Sequence, residues 1–331
     1  MSDPVASPSI AIIGSLNLDT ILNVPDFPAP GATVAAIGWE SRYGGKGANQ
    51  AMAVQRQGGV ASVIGCIGDD AGGRAYLDYL LQHGLICSGV QRLTDVQTGR
   101  AYVCVRPDGL NTIVSAAGAN VHLSADMVME HAGTITGADV VLCQLEVPVE
   151  ATVCALQVAS DLGKTTILNA SPLNPEFPWG QVPIDFLIVN ELEAATLLGY
   201  FVESTQEAST VRSQMADLGV GNLIITRGSE PTFLFGTHQA LKVPPPTVEV
   251  VDSTGAGDAF AGVFAVHWAR THDLLGSLRK ANIAGALVCS RLGAQDAIPT
   301  RAEVEGFGKV PAPVEETAPE SYDMEEMEEE A

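Results

Sequence analysis

No run of about 18 consecutive apolar residues, the minimum for a helix that crosses a bilayer, occurs in the 331-residue sequence. Cysteine is sparse and unpatterned. The six thiols (Cys66, Cys87, Cys104, Cys143, Cys154 and Cys289) include no C-x-x-C pair and fall mostly inside apolar segments. Buried, reduced cysteines in a cytosolic protein fit that distribution best. Residues 1–8 carry neither a basic patch nor an apolar stretch, so no secretory signal is expected there. Basic residues are scarce as well, with 17 Lys and Arg against 39 Asp and Glu for a net charge of −22. That balance excludes the basic footprint that nucleic acids require. It also sets a condition on any polyphosphate ligand, which would need helix N-termini and metal ions rather than a broad cationic patch. A Walker-type phosphate loop is missing too. Lys46 is followed by glycine, and Gly163-Lys164-Thr165 has Val158 where the motif needs its first glycine.

What the chain does have is an ample core and many turns: 46% of its residues are apolar and 34 are glycine. The length suits one large α/β domain with an excursion. Residues 9–13 read as a short strand, and 20–24 and 33–42 as extended pieces separated by Pro25, Pro28 and Pro30. A helix over 48–57, a strand over 61–67 and a helix over 72–83 follow. Segments 99–105 and 112–115 flank Pro107-Asp108-Gly109, a hairpin signal. Beyond residue 121, strands (140–145, 166–169, 186–189, 223–226) alternate with helices (151–162, 191–198, 210–218). Such alternation predicts an α/β fold with an open, mostly parallel sheet covered by helices on both faces. The early extended pieces, about 17–42 and 99–116, interrupt it and predict a small β-sheet lid. Residues 1–9 are expected to be flexible, 10–310 to form the α/β domain, and 311–331 to be a disordered acidic tail. Nine carboxylates lie between Glu315 and Glu330 there, without a helical apolar stripe.

The most informative stretch is residues 250–260, Val-Val-Asp-Ser-Thr-Gly-Ala-Gly-Asp-Ala-Phe. Two β-branched residues end a strand. Gly255, Ala256 and Gly257 then make a turn whose amides nothing blocks, and Asp258 follows where a helix should begin. A helix N-terminus presents N–H donors and partial positive charge, so it attracts anions. Asp258 in that first turn can cap the helix, or it can stand beside a bound phosphate and take a proton from an incoming hydroxyl.

Other constellations have the same two readings. Asn17 and Asp19, two apart at the end of a strand and hence on one face, can bind neighbouring hydroxyls of a sugar or simply make a turn. Gly44-Gly45-Lys46-Gly47-Ala48-Asn49 opens a helix, and its glycines permit close backbone approach to a ligand with Lys46 and Asn49 projecting beside it. Glu146 closes the strand 140–145, the usual address of a ligand-facing residue in an open α/β sheet. Asn190 and Glu193 form a capping-box pattern or hold Mg²⁺ through water. Thr226-Arg227-Gly228-Ser229 contacts a nucleotide or is a plain turn.

In this order and spacing the motifs resemble the ribokinase family, also called the PfkB carbohydrate kinases, from about Ile10 to about Pro299. The glycine cluster 44–49 and the stretch Asp252-Ser253-Thr254-Gly255-Ala256-Gly257-Asp258 carry most of that likeness, with Gln144-Leu145-Glu146 and Gly293-Ala294-Gln295 in support. The resemblance implies ATP-dependent phosphorylation of D-ribose at O5, or of another small sugar or a nucleoside. A non-catalytic binding protein on the same fold is the alternative from a different class. It further implies that Asn17, Asp19, Gly45, Lys46, Asn49 and Glu146 contact the sugar. Asp258 would be the base, with Gly255, Ala256 and Gly257 as anion hole. Asn190, Thr226, Gly228, Ser229, Gly257 and Asn282 would meet the nucleotide, with Glu193 near its Mg²⁺. A K⁺ site would comprise Asp252, Thr254, Val288, Arg291, Gly293 and Ala297. Two departures stand out: Ala297 replaces a frequent serine, and Pro231 a frequent glycine. A cytosolic homodimer joined through the lid is the expected assembly, with no nucleic-acid or membrane partner.

Overall fold

Alternate residues of β1 (Ser9–Ile13) enter different cores: Ile10 and Ile12 pack on one face of the sheet, Ala11 and Ile13 on the other. A strand covered on both sides must be apolar throughout, which explains the unbroken Ile-Ala-Ile-Ile run. The computed structural model describes residues 7–108, 110–308 and 315–317. After β1 the chain forms β2 (Asn17–Asn23), β3 (Gly38–Gly44), α1 (Lys46–Arg56), β4 (Val60–Gly68), α2 (Ala71–Gln82) and β5 (Ile86–Leu93). Then come β6 (Gly99–Val105), β7 (Asn111–Ala116), α3 (Ala125–Glu130), α4 (Ala132–Thr136), β8 (Val140–Gln144), α5 (Val149–Asp161) and β9 (Thr165–Asn169). Next are β10 (Ile184–Asn190), α6 (Glu191–Leu198), α7 (Ala208–Asp217), β11 (Val220–Arg227), β12 (Glu230–Gly236) and β13 (Ala240–Val243). The order closes with α8 (Ala256–Thr271), α9 (Leu274–Cys289), α10 (Arg301–Gly306) and β14 (Glu315–Thr317).

The main sheet has ten strands in the order β14-β13-β12-β11-β10-β9-β8-β1-β4-β5. Pairing is parallel from β5 through β11 and antiparallel from β11 to β14. Helices α1, α2, α8 and α9 cover one face, and α5, α6 and α7 the other. The expected α/β architecture is therefore present. So is the small lid, a four-stranded sheet β3-β2-β6-β7 whose central pair, β2 and β6, is parallel.

Several boundaries differ from expectation. Asn17 and Asp19 open β2 in the lid rather than ending a strand of the main sheet. The extended piece expected from residue 33 begins as a strand only at Gly38. Strands β5, β12 and β13 and helix α9 escape the sequence reading. In β12, Pro231 breaks the β-forming run, yet it is the second residue of the strand, beside the register shift where β12 joins β11, and a strand start or bulge tolerates it. Three residues of the acidic tail, Glu315–Thr317, pair antiparallel with β13 instead of being unstructured. The rest of 311–331, residues 1–6, and Gly109 of the hairpin signal lie outside the described residues. No helix among the described residues is long and apolar enough to cross a membrane.

Candidate active site

The turn that precedes α8 has the conformation its glycines allow. Gly255 occupies the left-handed region (φ 78°, ψ 0°), where a side chain is strained, and a Cβ there would also sit 3.2 Å from Ala294. The space in front of Gly257 is open. Ala256 N donates to Ser253 O at 3.2 Å, while the amides of Gly257 and Asp258 have no intrahelical partner by geometry and line a concave surface that suits an anion.

Asp258, the third residue of α8, does not cap the helix. Gly255 occupies the N-cap position without a side-chain cap bond. The Asp258 carboxylate, only 6% exposed, is held by side chains of α1 instead. Asn49 donates from Nδ2 to Oδ2 at 2.9 Å, and Gln50 donates from Nε2 to Oδ1 at 3.1 Å. Burial raises its pKa above the usual 3.8, against the lowering influence of Lys46 and the two amides, while Glu146 adds to the rise. A carboxylate tuned upward is a better proton acceptor near neutral pH.

The residues expected to contact a sugar converge on this carboxylate. Gly45 begins α1 at φ 89°, and a Cβ there would lie 2.7 Å from both Asn17 N and Ser15 O. Lys46 N donates to Glu146 Oε2 at 3.3 Å, and Ser15 Oγ donates to the same oxygen at 2.5 Å. Burial works against the charge on Lys46, but Asp258, Glu146 and Glu193 outweigh it and hold its pKa above 10.5. Asp19 faces the same space from β2. Its buried Oδ1 has no hydrogen-bond partner among the described residues. Burial, together with the negative charges of Glu146 and Asp258, lifts its pKa from 3.8 to about 7. Asn17 is more tied down, since its Oδ1 accepts from Asn120 Nδ2 at 2.8 Å.

On the other side of Asp258 lies a cavity of about 650 Å³, at the carboxyl ends of the strands where ligands bind in open α/β sheets. It is lined by Lys46, Asn190, Glu193, Thr226, Gly228, Ser229, Gly255, Ala256, Gly257, Asp258 and Asn282, so the expected nucleotide residues are brought together. Asn190 and Glu193 make the capping box of α6: Oδ1 of Asn190 accepts from Glu193 N at 2.8 Å, and Oε2 of Glu193 accepts from Asn190 N at 2.8 Å. Asn282 is buried and fastens α9 to the sheet, accepting from Thr232 Oγ1 at 2.7 Å and donating to Val243 O at 3.0 Å. A second concavity of about 550 Å³, bordered by Lys164, Thr165, Asp185 and His272, lies at the amino ends of β9 and β10, away from this chemistry.

The residues expected to hold K⁺ surround the same turn. Asp252 Oδ1 accepts from Thr254 N at 2.9 Å and Thr254 Oγ1 at 2.6 Å, and Oδ2 from Gly293 N at 2.9 Å. Burial opposes its charge, but these bonds and nearby Arg42 keep its pKa below 3.8. The Arg291 side chain is drawn away to Glu303 at 2.6 Å, which leaves its carbonyl as the possible ligand. A carboxylate with backbone carbonyls of this segment would be a hard-oxygen set that suits an alkali cation, although Val288 O already accepts from Arg291 N at 3.0 Å. Ala297 adds no side-chain oxygen to it.

Sequence reasoning misses four residues that position the site. Gln50 has no charge to advertise it. Asn120 clamps Leu16 and Asn17 from a distant segment. Tyr76 donates to Gly44 O at 2.6 Å and accepts from Gln295 Nε2 at 2.7 Å, tying the lid hinge to the 293–297 loop. Arg42 reaches from the lid against Gly293, so a Cβ at Gly293 would collide with its guanidinium. Only the neighbouring glycines hint at such close approaches.

The pfkB family carbohydrate kinase pattern matches residues 7–301. The ribokinase of Haemophilus influenzae is 33% identical over 299 residues, covering 90% of this chain and 98% of that protein. Among solved structures, the ribokinase of Thermotoga maritima superposes with a TM-score of 0.80 at 32% identity, covering 91% of this chain and 99% of that one. The ribokinase of Arabidopsis thaliana, complexed with ribose and ATP, superposes at 0.83 with 28% identity over 91% of this chain and 98% of that one.

The raised pKa of Asp19 has a measurable consequence. A carboxyl that binds its proton more tightly when folded stabilises the protein below the unfolded pKa and loses that contribution as pH rises through the folded value. The ligand-free protein therefore loses this stability between about pH 4 and 7. Asp19→Asn removes the ionisation, so its melting temperature should exceed the parent's by at least about 2 °C at pH 8, and the gap should be clearly smaller at pH 5. Calorimetry at both pH values checks this, and a gap that widens at low pH contradicts it.

Proposed function

The chain belongs to the pfkB family of carbohydrate kinases, and on that footing we propose that it transfers the γ-phosphoryl group of ATP to O5 of D-ribose, giving D-ribose 5-phosphate and ADP. The observation that carries this reading is the position of Asp258. A buried carboxylate stands at the glycine N-terminus of a helix, with Lys46 and the Asp19–Glu146 side before it and the large cavity behind.

Ribose would enter on the lid side, where the unpartnered Oδ1 of Asp19 waits for a hydroxyl hydrogen and Asn17 offers its amide. Gly45, Lys46, Asn49 and Glu146 complete that wall. O5 would face Asp258, which accepts its proton as the oxygen attacks phosphorus in line. The amides of Gly255, Gly257 and Asp258 would receive the charge on the transferring oxygens, with Ala256 holding the turn through its bond to Ser253 O, and Lys46 would supply a fixed cation beside them. The lid excludes water, which would otherwise compete as acceptor.

ATP would occupy the cavity against Thr226, Gly228, Ser229 and Asn282. Among the described residues no group of three or more His, Cys, Asp and Glu side chains is arranged to hold a metal by itself. Mg²⁺ therefore fits as an ion carried by the nucleotide and met through water by Asn190 and Glu193, where it would neutralise phosphate charge. K⁺ would be held by Asp252 with the carbonyls around Gly293 and would stiffen the turn behind the anion hole. The free cysteines, Cys66 and Cys143 among them, support a reducing cytosol.

Asp258→Asn tests the catalytic assignment. It preserves shape at a position where capping is not at stake, so kcat should fall by about 10²–10⁴ while ATP affinity changes little. Steady-state kinetics with a nucleotide-binding titration reads both, and a near-normal kcat would refute the assignment.

The lid supports a homodimer. Trp39 and Val114, 70% and 64% exposed, share a sheet face with Tyr102 by strand alternation, and small sheets with bare apolar faces and open edges seek cover. Sedimentation at micromolar concentration should show twice the chain mass, with Trp39→Glu shifting it to the monomer. A parent that is strictly monomeric and fully active sinks the proposal.

A further inference from the structure

Gln50 is fully buried, carries no charge, and follows Asn49 on α1. Its carboxamide is engaged at every end. Nε2 donates to Asp258 Oδ1 at 3.1 Å and to Asn169 Oδ1 at 3.0 Å, and Oε1 accepts from Gln144 Nε2 at 2.6 Å. Asn169 in turn donates from Nδ2 to the backbone carbonyl of Ile188 at 3.1 Å.

The direction of this chain is dictated by the sheet. A backbone carbonyl can only accept, so Asn169 must turn its NH₂ toward Ile188 and its oxygen toward Gln50. Gln50 must then present its NH₂ to Asn169 and Asp258, and its oxygen to Gln144. Each amide flip follows from the one before, back to the main chain of β10. The polarity delivered to Asp258 is therefore N–H, which favours an ionised carboxylate and opposes its burial. Gln144 ends the chain with a buried Oε1 that has no partner, against Gly14, where any Cβ would collide with it.

We propose that Gln50 is a positioning residue for the phosphoryl-transfer reaction: it fixes the plane of the Asp258 carboxylate and keeps it ionised, through an amide relay anchored in β8, β9 and β10. Asn49 holds Oδ2 and Gln50 holds Oδ1, so the carboxylate cannot rotate and the lone pairs left over face the acceptor hydroxyl. The charged groups that also face Asp258 are Lys46 on α1, Glu146 beyond β8 and Asp19 on the lid. Gln50→Met leaves all three in place. The inference rests on Asp258 being the base.

The test uses Gln50→Met, Gln144→Met and the double variant, with parent and Asp258→Asn alongside. Losing one hydrogen bond to a charged group predicts a fall in kcat of about ten- to hundredfold for Gln50→Met, with KM for ribose and ATP within about twofold of the parent. The acid limb of its kcat–pH profile should move to higher pH. Gln144→Met, which never touches Asp258, should change kcat in the same direction by less, and the double variant should be no worse than Gln50→Met. Should Gln50→Met fail to fold, the kcat and pH profile of Gln144→Met decide alone. Parent-like kcat and pH profile, or losses that simply add and follow lost folded protein, overturn the role of Gln50. If Asp258→Asn itself keeps its kcat, the catalytic reading fails instead, so the two failures are distinguishable.

Discussion

A carboxylate buried where two helices meet is the constraint on which the site depends. Asp258 lies in the first turn of α8, and its charge is affordable there because α1 contributes two amide donors and Lys46. Those donors reach it only if α1 and α8 stay in close register. Gly262 of α8 permits that approach: a Cβ there would lie 2.7 Å from both Ala53 Cβ and Gln50 O. The start of α1 is pinned in the same manner, since a Cβ on Gly47 would lie 2.7 Å from the backbone of Gly14 and Ser15. The proposed base, anion hole and sugar wall are thus parts of one packed junction.

The lid is built on that junction rather than hung beside it. Its first strand follows the main sheet after Gly14–Leu16, and its second strand, β3, runs directly into α1. Asn120, Tyr76 and Arg42 then tie lid backbone and side chains to the body. Asp19 bears the electrostatic cost of this closeness, with Glu146 and Asp258 as like-charged neighbours. Strain of this kind is expected at a site whose charges are complemented only when a substrate is bound.

What the sequence disclosed is what short-range chemistry encodes. The continuous apolar strands, the glycine turn before α8 and the glycine cluster before α1 were legible because each acts through its own neighbours. The partners of Asp258 were only half legible. Asn49 lay inside a recognisable motif and Gln144 beside Glu146 in another, but Gln50 and Asn169 are uncharged amides on separate elements, and nothing local announces that they meet. The capping role open to Asp258 was settled by geometry, because Gly255 takes the N-cap and α1 takes the carboxylate. Pro231 hid β12, and Asn190 kept both of its readings, since its capping box borders the cavity.

The account stands on the acceptor and the atom that receives the phosphoryl group. The most direct measurement incubates the purified protein with ¹³C-labelled D-ribose, ATP and Mg²⁺ and follows the products by ³¹P and ¹³C NMR. A single phosphate ester on C5 of ribose, formed in step with ADP, is the predicted result. ATP consumed to inorganic phosphate with ribose untouched, or an ester at another carbon, would contradict it.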